Sequence, residues 1–177
     1  GRVPASFNQL VGLKPTCGLL STSGVVPACR SLDTVSIFAL TSRDALAVLD
    51  AARGFDAADP YSRDVEPWGV DWTAGRFRFG VPRQQDLEFF GNDSAAALFR
   101  RTVAHLEALG GVAVEIDMQP FIEAALLLYE GPWVAERFLA IREFLAAHPD
   151  QIFPAVRAVI ETGAGKSAAD TFAAIYR

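Results

Sequence analysis

A strand–helix–strand pattern in the middle of the chain restricts the fold more than any other feature. Residues 76–81 (RFRFGV) alternate polar and apolar side chains, as a half-buried β-strand does, and residues 112–116 (VAVEI) form a second strand candidate. Between them, residues 92–94 (NDS) can cap a helix whose apolar stripe lies within residues 98–109, and Gly110 ends it. A connection of this length allows a crossover between parallel strands, so we predict an α/β fold with at least one parallel strand pair.

Glycine and proline residues interrupt the first part of the chain, residues 1–34, and favour loops there. Residues 36–40 (SIFAL) form a short strand candidate. Residues 42–44 (SRD) can cap a helix that ends at Gly54, and the Pro-containing segment 54–75 is predicted to be an exposed excursion.

From residue 121 onward, the spacing of apolar side chains predicts a helical region. Pro132 suits the first position of a helix, because the N–H that proline lacks would have no helical partner there. The predicted helices span residues 121–130, 132–147, 154–161 and 167–177.

The charge and cysteine content exclude several classes of partner. The formal net charge is −5 and the pI is about 5.0, which disfavours binding to nucleic acid or to an anionic membrane surface. No apolar run approaches the roughly 18 residues of a membrane span. Cys17 and Cys29 are too few for a disulfide framework, so we expect reduced thiols and a cytoplasmic location.

Both ends of the sequence favour a piece of a longer polypeptide. The single methionine is Met118, so Gly1 is not an unprocessed translation start. The last helical segment, residues 167–177, has no Gly or Pro stop signal after it.

Most recognisable catalytic patterns do not occur. His105 and His148 each stand alone; we expect a packing role for the first and a helix-end role for the second. Residues 163–167 (GAGKS) resemble the tail of a phosphate-binding loop, but Ile160 stands where that pattern requires glycine, and helices are predicted on both sides. A flexible turn between helices fits this segment better.

Tyr129 and Arg137 lie on either side of a Gly-Pro break at residues 131–132. In an uninterrupted helix, residues eight apart point about 80° away from each other. A break changes this geometry and can let a phenol and a guanidinium converge on a small carboxylate. The alternative is that Arg137 forms a surface ion pair with Glu130 or Glu136. The spacing alone favours this ion pair over a carboxylate-binding site.

Three segments resemble the amidase signature family. Residues 1–8 (GRVPASFN) and 11–16 (VGLKPT) are similar to the end of its long signature motif. Residues 24–36 (GVVPACRSLDTVS) and 128–137 (LYEGPWVAER) resemble the allophanate hydrolases within that family.

This resemblance implies a mixed β-sheet core flanked by helices, as in the C-terminal part of the amidase signature fold. Residues 1–177 would form one partial amidase domain. Its residues 1–120 would contribute the loop-rich part and the α/β layer, and residues 121–177 a helical substrate-specificity region.

The family's nucleophilic serine would lie immediately before Gly1, with the cis-serine and the general-base lysine further upstream, so the resemblance places no catalytic residue in this chain. It implies that Tyr129 and Arg137 contact the carboxylate end of the substrate. Arg2 would support the nucleophile loop. Neither a metal nor an organic cofactor is implied.

The function implied by the resemblance is hydrolysis of allophanate (urea-1-carboxylate) to ammonia and carbon dioxide in urea degradation. Urea carboxylase would be the metabolic partner, and a homodimer is expected. Two alternatives stay open: an amidase acting on another small amide, and a truncated fragment without catalytic activity. The isolated chain is expected to be inactive.

Overall fold

The computed structural model describes residues 2–65 and 75–177, which form two compact units. The first contains residues 2–65 and 129–176, and the second contains residues 75–128. The strands are β1 (Val11–Leu13), β2 (Ile37–Ala39), β3 (Phe77–Pro82) and β4 (Gly111–Ile116). The helices are α1 (Arg2–Phe7), α2 (Ser42–Ala52), α3 (Asp93–Ala108), α4 (Gln119–Tyr129), α5 (Val134–Ala147), α6 (Pro154–Glu161) and α7 (Ala168–Tyr176).

In the first unit, β1 and β2 pair antiparallel, with Val11 opposite Ala39 and Leu13 opposite Ile37. The predicted strand at residues 36–40 is therefore confirmed. Helix α2 covers this sheet and buries a small apolar core that consists of Leu20, Ile37, Ala45 and Leu49.

The N-terminal cap of α2 is Thr41 rather than the predicted residues 42–44. Its hydroxyl accepts a hydrogen bond from the backbone N–H of Asp44 at 3.2 Å. Thr41 has extended backbone angles, as a capping residue requires, whereas Ser42 is already the first helical residue.

Residues 2–34 are loop-rich, as predicted, but they contain two short elements that were not predicted. Helix α1 contains Pro4, which is tolerated because the N–H groups of the first helical turn have no intrahelical partner. Strand β1 is only three residues long and exists because it pairs with the distant β2. Local glycine and proline content does not reveal such a non-local pairing.

The second unit confirms the strand–helix–strand prediction. Strands β3 and β4 are parallel, in a register that runs from Phe77 opposite Gly111 to Pro82 opposite Ile116. Helix α3 connects them and begins with Asn92, whose side chain accepts a hydrogen bond from the backbone N–H of Ala95 at 3.0 Å. The predicted segment 54–75 includes residues 66–74, which lie outside the described residues.

The helical C-terminal region is confirmed, with one correction. Helix α5 begins at Val134, two residues later than predicted. The chain first makes tighter turns, in which Ala135 donates to the Pro132 carbonyl at 2.9 Å and Glu136 donates to the Trp133 carbonyl at 3.1 Å. Such i→i+3 hydrogen bonds are common where a helix begins.

The segment that resembled a phosphate loop forms a short 3₁₀ turn, Thr162–Gly165, between α6 and α7. Gly163 is buried against the first turn of α5. A Cβ atom at Gly163 would lie 2.6 Å from the Val134 carbonyl oxygen and 2.9 Å from the Cα of Ala135. The turn therefore approaches α5 backbone to backbone. No helix in the described ranges combines the length and the apolar character that crossing a membrane requires.

Replacement of Gly163 by alanine should destabilise the protein by about 1–3 kcal/mol, because rigid backbone atoms of α5 would have to move. Gly165→Ala is the matched control, since a Cβ there meets no atom within 4 Å, and its effect should stay within about 0.5 kcal/mol. Urea unfolding of the full-length protein measures both. Equal effects of the two substitutions would contradict the close packing of this turn.

Candidate functional site

The structure brings Tyr129 and Arg137 together. Tyr129 is the last residue of α4, and Arg137 lies in the first turns of α5. The guanidinium carbon of Arg137 is 5.4 Å from the centre of the Tyr129 ring, which is within the range of a cation–π interaction. The break between the two helices thus produces the convergence that one continuous helix would not allow.

The guanidinium of Arg137 has no acidic partner among the described residues. It makes no ion pair with Glu130 or Glu136. The structure therefore does not show the surface ion pair that was the alternative interpretation of Arg137. Its Nε is buried and makes no hydrogen bond within the described part of the chain. A buried N–H group without an acceptor is unfavourable, and a bound anion would relieve this cost.

Glu136, the neighbour of Arg137, binds a distant part of the chain instead. Its carboxylate accepts hydrogen bonds from the backbone N–H of Ser31 at 2.8 Å and from the Ser31 hydroxyl at 2.5 Å. These two residues are 105 positions apart in the sequence. The sequence contained no signal for this pairing.

Ser31 belongs to a tight turn at residues 28–33. The carboxylate of Asp33 accepts hydrogen bonds from the N–H groups of Ala28 at 2.9 Å and Cys29 at 3.0 Å. The Cys29 carbonyl accepts in turn from the N–H groups of Leu32 and Asp33, both at 2.8 Å. This network fixes the loop that presents Ser31 to α5.

Lys166 contacts the chain on the N-terminal side of the helix break. Its ammonium group donates to the backbone carbonyl of Glu130 at 2.7 Å, at the end of α4. A basic side chain commonly satisfies the last carbonyls of a helix in this way. Lys166 is the lysine of the GAGKS segment, so this segment contacts the end of α4 next to Tyr129.

The charges of Glu136 and Arg137 both act on the thiol of Cys29. The pKa of Cys29 is raised to about 11, mainly by burial and in addition by the carboxylates of Glu136 and Asp33. A hydrogen bond with Ser31 and the positive charge of Arg137 act in the opposite direction. Cys29 is therefore a neutral thiol at physiological pH and a poor nucleophile. Cys17 and Cys29 are both free cysteines.

A second buried carboxylate has a structural role. Asp59 is only 6% exposed and accepts backbone hydrogen bonds from Thr22 at 2.7 Å and Tyr61 at 2.9 Å. These bonds lower the pKa of Asp59, because they favour its ionised form. Its acceptor capacity is used to hold two loops together, so it is not a candidate for catalysis.

The structure also describes the elements that carry the other residues singled out from the sequence. Arg2 is the first residue of α1. His148 is the C-terminal residue that caps α5, as predicted, and its ring lies 5.3 Å from the ring of Phe144. His105 is exposed on α3, so the packing role predicted for it is wrong. Within residues 2–65 and 75–177, no three His, Cys, Asp or Glu side chains cluster in a way that could hold a metal ion.

A profile of the amidase family matches residues 1–176. The chain belongs to the amidase family. The resemblance deduced from residues 1–36 and 128–137 and the mixed α/β fold are both confirmed.

Relatives of this amidase-family chain include the urea amidolyases of Saccharomyces cerevisiae, 40% identical, and Lachancea kluyveri, 38% identical, each over 180 residues. Each alignment covers 100% of this chain and 10% of the relative. A solved structure of a serine-to-alanine variant of Kluyveromyces lactis allophanate hydrolase is 39% identical, with a TM-score of 0.90 over 99% of this chain and 29% of that one. The chain thus spans about a tenth of the length of the curated relatives it matches.

Replacement of Glu136 by glutamine should lower the pKa of Cys29 from about 11, because it removes one of the negative charges that disfavour the thiolate. Glu143→Gln, on the exposed side of the same helix, is the matched control and should leave the titration unchanged. The pH dependence of thiolate absorbance in a Cys17→Ser background measures this pKa. If the Cys29 pKa were the same in the Glu136→Gln variant, the negative charge of Glu136 would not contribute to the pKa of this thiol.

Proposed function

We propose that this chain supplies the carboxylate-binding part of an amidase that hydrolyses allophanate to ammonia and carbon dioxide in urea degradation. The observation that carries the proposal is the Arg137 guanidinium, which lies against Tyr129 with a buried Nε and no acidic partner among the described residues. The names of the relatives, urea amidolyase and allophanate hydrolase, support this choice of substrate.

The chemistry of the substrate suits these side chains. Allophanate carries a carboxylate at one end and a urea amide at the other. A guanidinium can bind a carboxylate through two parallel, charge-assisted hydrogen bonds, and the hydroxyl of Tyr129 can donate another. A neutral amide would leave the Arg137 N–H groups unpaired, so the site would discriminate against it.

The catalytic groups in this proposal lie N-terminal to Gly1, as the resemblance implies. A lysine would accept a proton through the cis-serine, and the activated serine would attack the amide carbonyl. Backbone N–H groups would stabilise the oxyanion, each contributing about 3–4 kcal/mol to the transition state. Ammonia would leave, water would release the acyl group, and the released product would decompose to carbon dioxide and ammonia. Arg2 would support the loop that carries the serine.

Urea carboxylase is the proposed metabolic partner. The relatives named urea amidolyase are consistent with a link between urea breakdown and an amidase of this kind. An enzyme that forms allophanate from urea would supply the substrate for which the site is proposed.

Arg137→Ala in the full-length protein should raise KM for allophanate by about 100-fold, because truncation removes the partner of the substrate carboxylate. The inhibition constant of biuret, in which a carboxamide replaces the carboxylate, should change by less than about threefold. Steady-state kinetics with allophanate, and with biuret as competitor, measure both quantities.

Arg142→Ala, which removes an exposed arginine from the same helix, is the matched control and should leave both constants unchanged. If the Arg137 variant weakened allophanate and biuret equally, carboxylate recognition would be refuted. If full-length protein with all its residues intact hydrolysed simple aliphatic amides but not allophanate, the substrate would be a different small amide.

A further inference from the structure

We propose that Ser31 is a positioning residue for substrate specificity: by holding the carboxylate of Glu136, it keeps this negative charge from pairing with Arg137. The guanidinium then stays available to the anionic substrate. This inference rests on the function proposed for Arg137 and assigns a role to a residue outside the helix that carries it.

The first argument is the completeness of the contact. Both oxygens of the Glu136 carboxylate are engaged, one by the N–H of Ser31 at 2.8 Å and the other by its hydroxyl at 2.5 Å. Charge-assisted hydrogen bonds of this kind are roughly twice as strong as neutral ones. They hold the carboxylate although the guanidinium on the next residue has no acidic partner among the described residues.

The second argument is that both charges act on the same buried thiol. Adjacent residues on a helix point about 100° apart, so Glu136 and Arg137 need not interact. Both nevertheless act on the thiol of Cys29, Glu136 raising its pKa and Arg137 lowering it. Both charges are therefore close enough to the turn at residues 28–33 to affect its buried thiol, and Glu136 is in direct contact with that turn.

The third argument is that the turn carrying Ser31 is held in place by hydrogen bonds of its own. Ser31 lies within the turn that the hydrogen bonds of the Asp33 carboxylate with Ala28 and Cys29 close. Pairing of Glu136 with Arg137 would compete with its contact to this turn. Loss of the Ser31 hydroxyl removes one of the two bonds and shifts the balance towards the internal ion pair.

An internal ion pair would compete with the substrate. A carboxylate on the neighbouring residue acts at a high effective concentration, because its encounter with Arg137 is intramolecular. The substrate carboxylate would have to displace it, so KM would rise while the chemical step stayed the same. A neutral amide does not use the guanidinium, and its binding would not change.

Ser31→Ala in the full-length protein should raise KM for allophanate by about tenfold, equivalent to about 1.4 kcal/mol. The kcat should stay within about twofold, and the inhibition constant of biuret should be unaltered. The double variant Ser31→Ala/Glu136→Gln should restore KM to that of Glu136→Gln alone, because glutamine cannot form the competing ion pair. A merely structural loss would not be restored, since glutamine makes no additional bond to alanine.

Two further variants keep the test decisive. Ser31→Ala/Glu143→Gln removes an exposed negative charge further along α5 and should not restore KM. Glu136→Gln alone retains an acceptor for Ser31 and should bind allophanate at least as tightly as the wild type. A KM that rises in Glu136→Gln, stays unchanged in Ser31→Ala, or stays high in the double variant with Glu136→Gln would overturn the role of Ser31.

The outcome for Arg137→Ala separates this inference from the proposed function. If that variant does not distinguish allophanate from biuret, the function proposed for Arg137 fails, and this inference fails with it. If it does distinguish them while Ser31→Ala has no effect, only the role of Ser31 is lost.

Discussion

The hydrogen bonds between Ser31 and Glu136 connect two segments that are 105 residues apart, and the geometry of the candidate site depends on them. Helix α5 has no side-chain cap at its start, where Trp133 occupies the capping position. Contacts with other segments therefore determine where the helix begins. Besides Ser31, these are the close approach of Gly163 to α5 and the bond from Lys166 to the Glu130 carbonyl at the end of α4. All three contacts lie at the start of α5 or at the break before it.

Two acids of this region, Glu136 and Asp33, are engaged elsewhere. Glu136 binds Ser31, and Asp33 accepts backbone N–H groups within its own turn. The guanidinium is left with the face of the Tyr129 ring and a buried, unpaired Nε within the described residues. Burying an N–H group without an acceptor is unfavourable, and this cost is the basis of the proposal that the site binds an anion.

Local patterns predicted much of the fold. The alternation in residues 76–81, the cap at Asn92 and the stop at Gly110 identified the parallel β3–α3–β4 unit. The same patterns failed for β1, whose three residues are ordered by pairing with β2. The candidate pair of Tyr129 and Arg137 was found, but spacing alone favoured an ion pair with Glu130 or Glu136. The structure shows no such pair among the described residues, and the Glu136 carboxylate binds Ser31 instead.

By itself, the sequence determined the family, the alternating strands and helices, and a phenol and a guanidinium on either side of a Gly-Pro break. These properties follow from local chemistry: side-chain periodicity, turn residues and a recognisable motif. Only the tertiary structure decided which acid binds which partner and why residue 163 is glycine. Both depend on segments that are distant in the chain and meet in space, where hydrogen-bond geometry and the closest approach of two backbones determine the outcome.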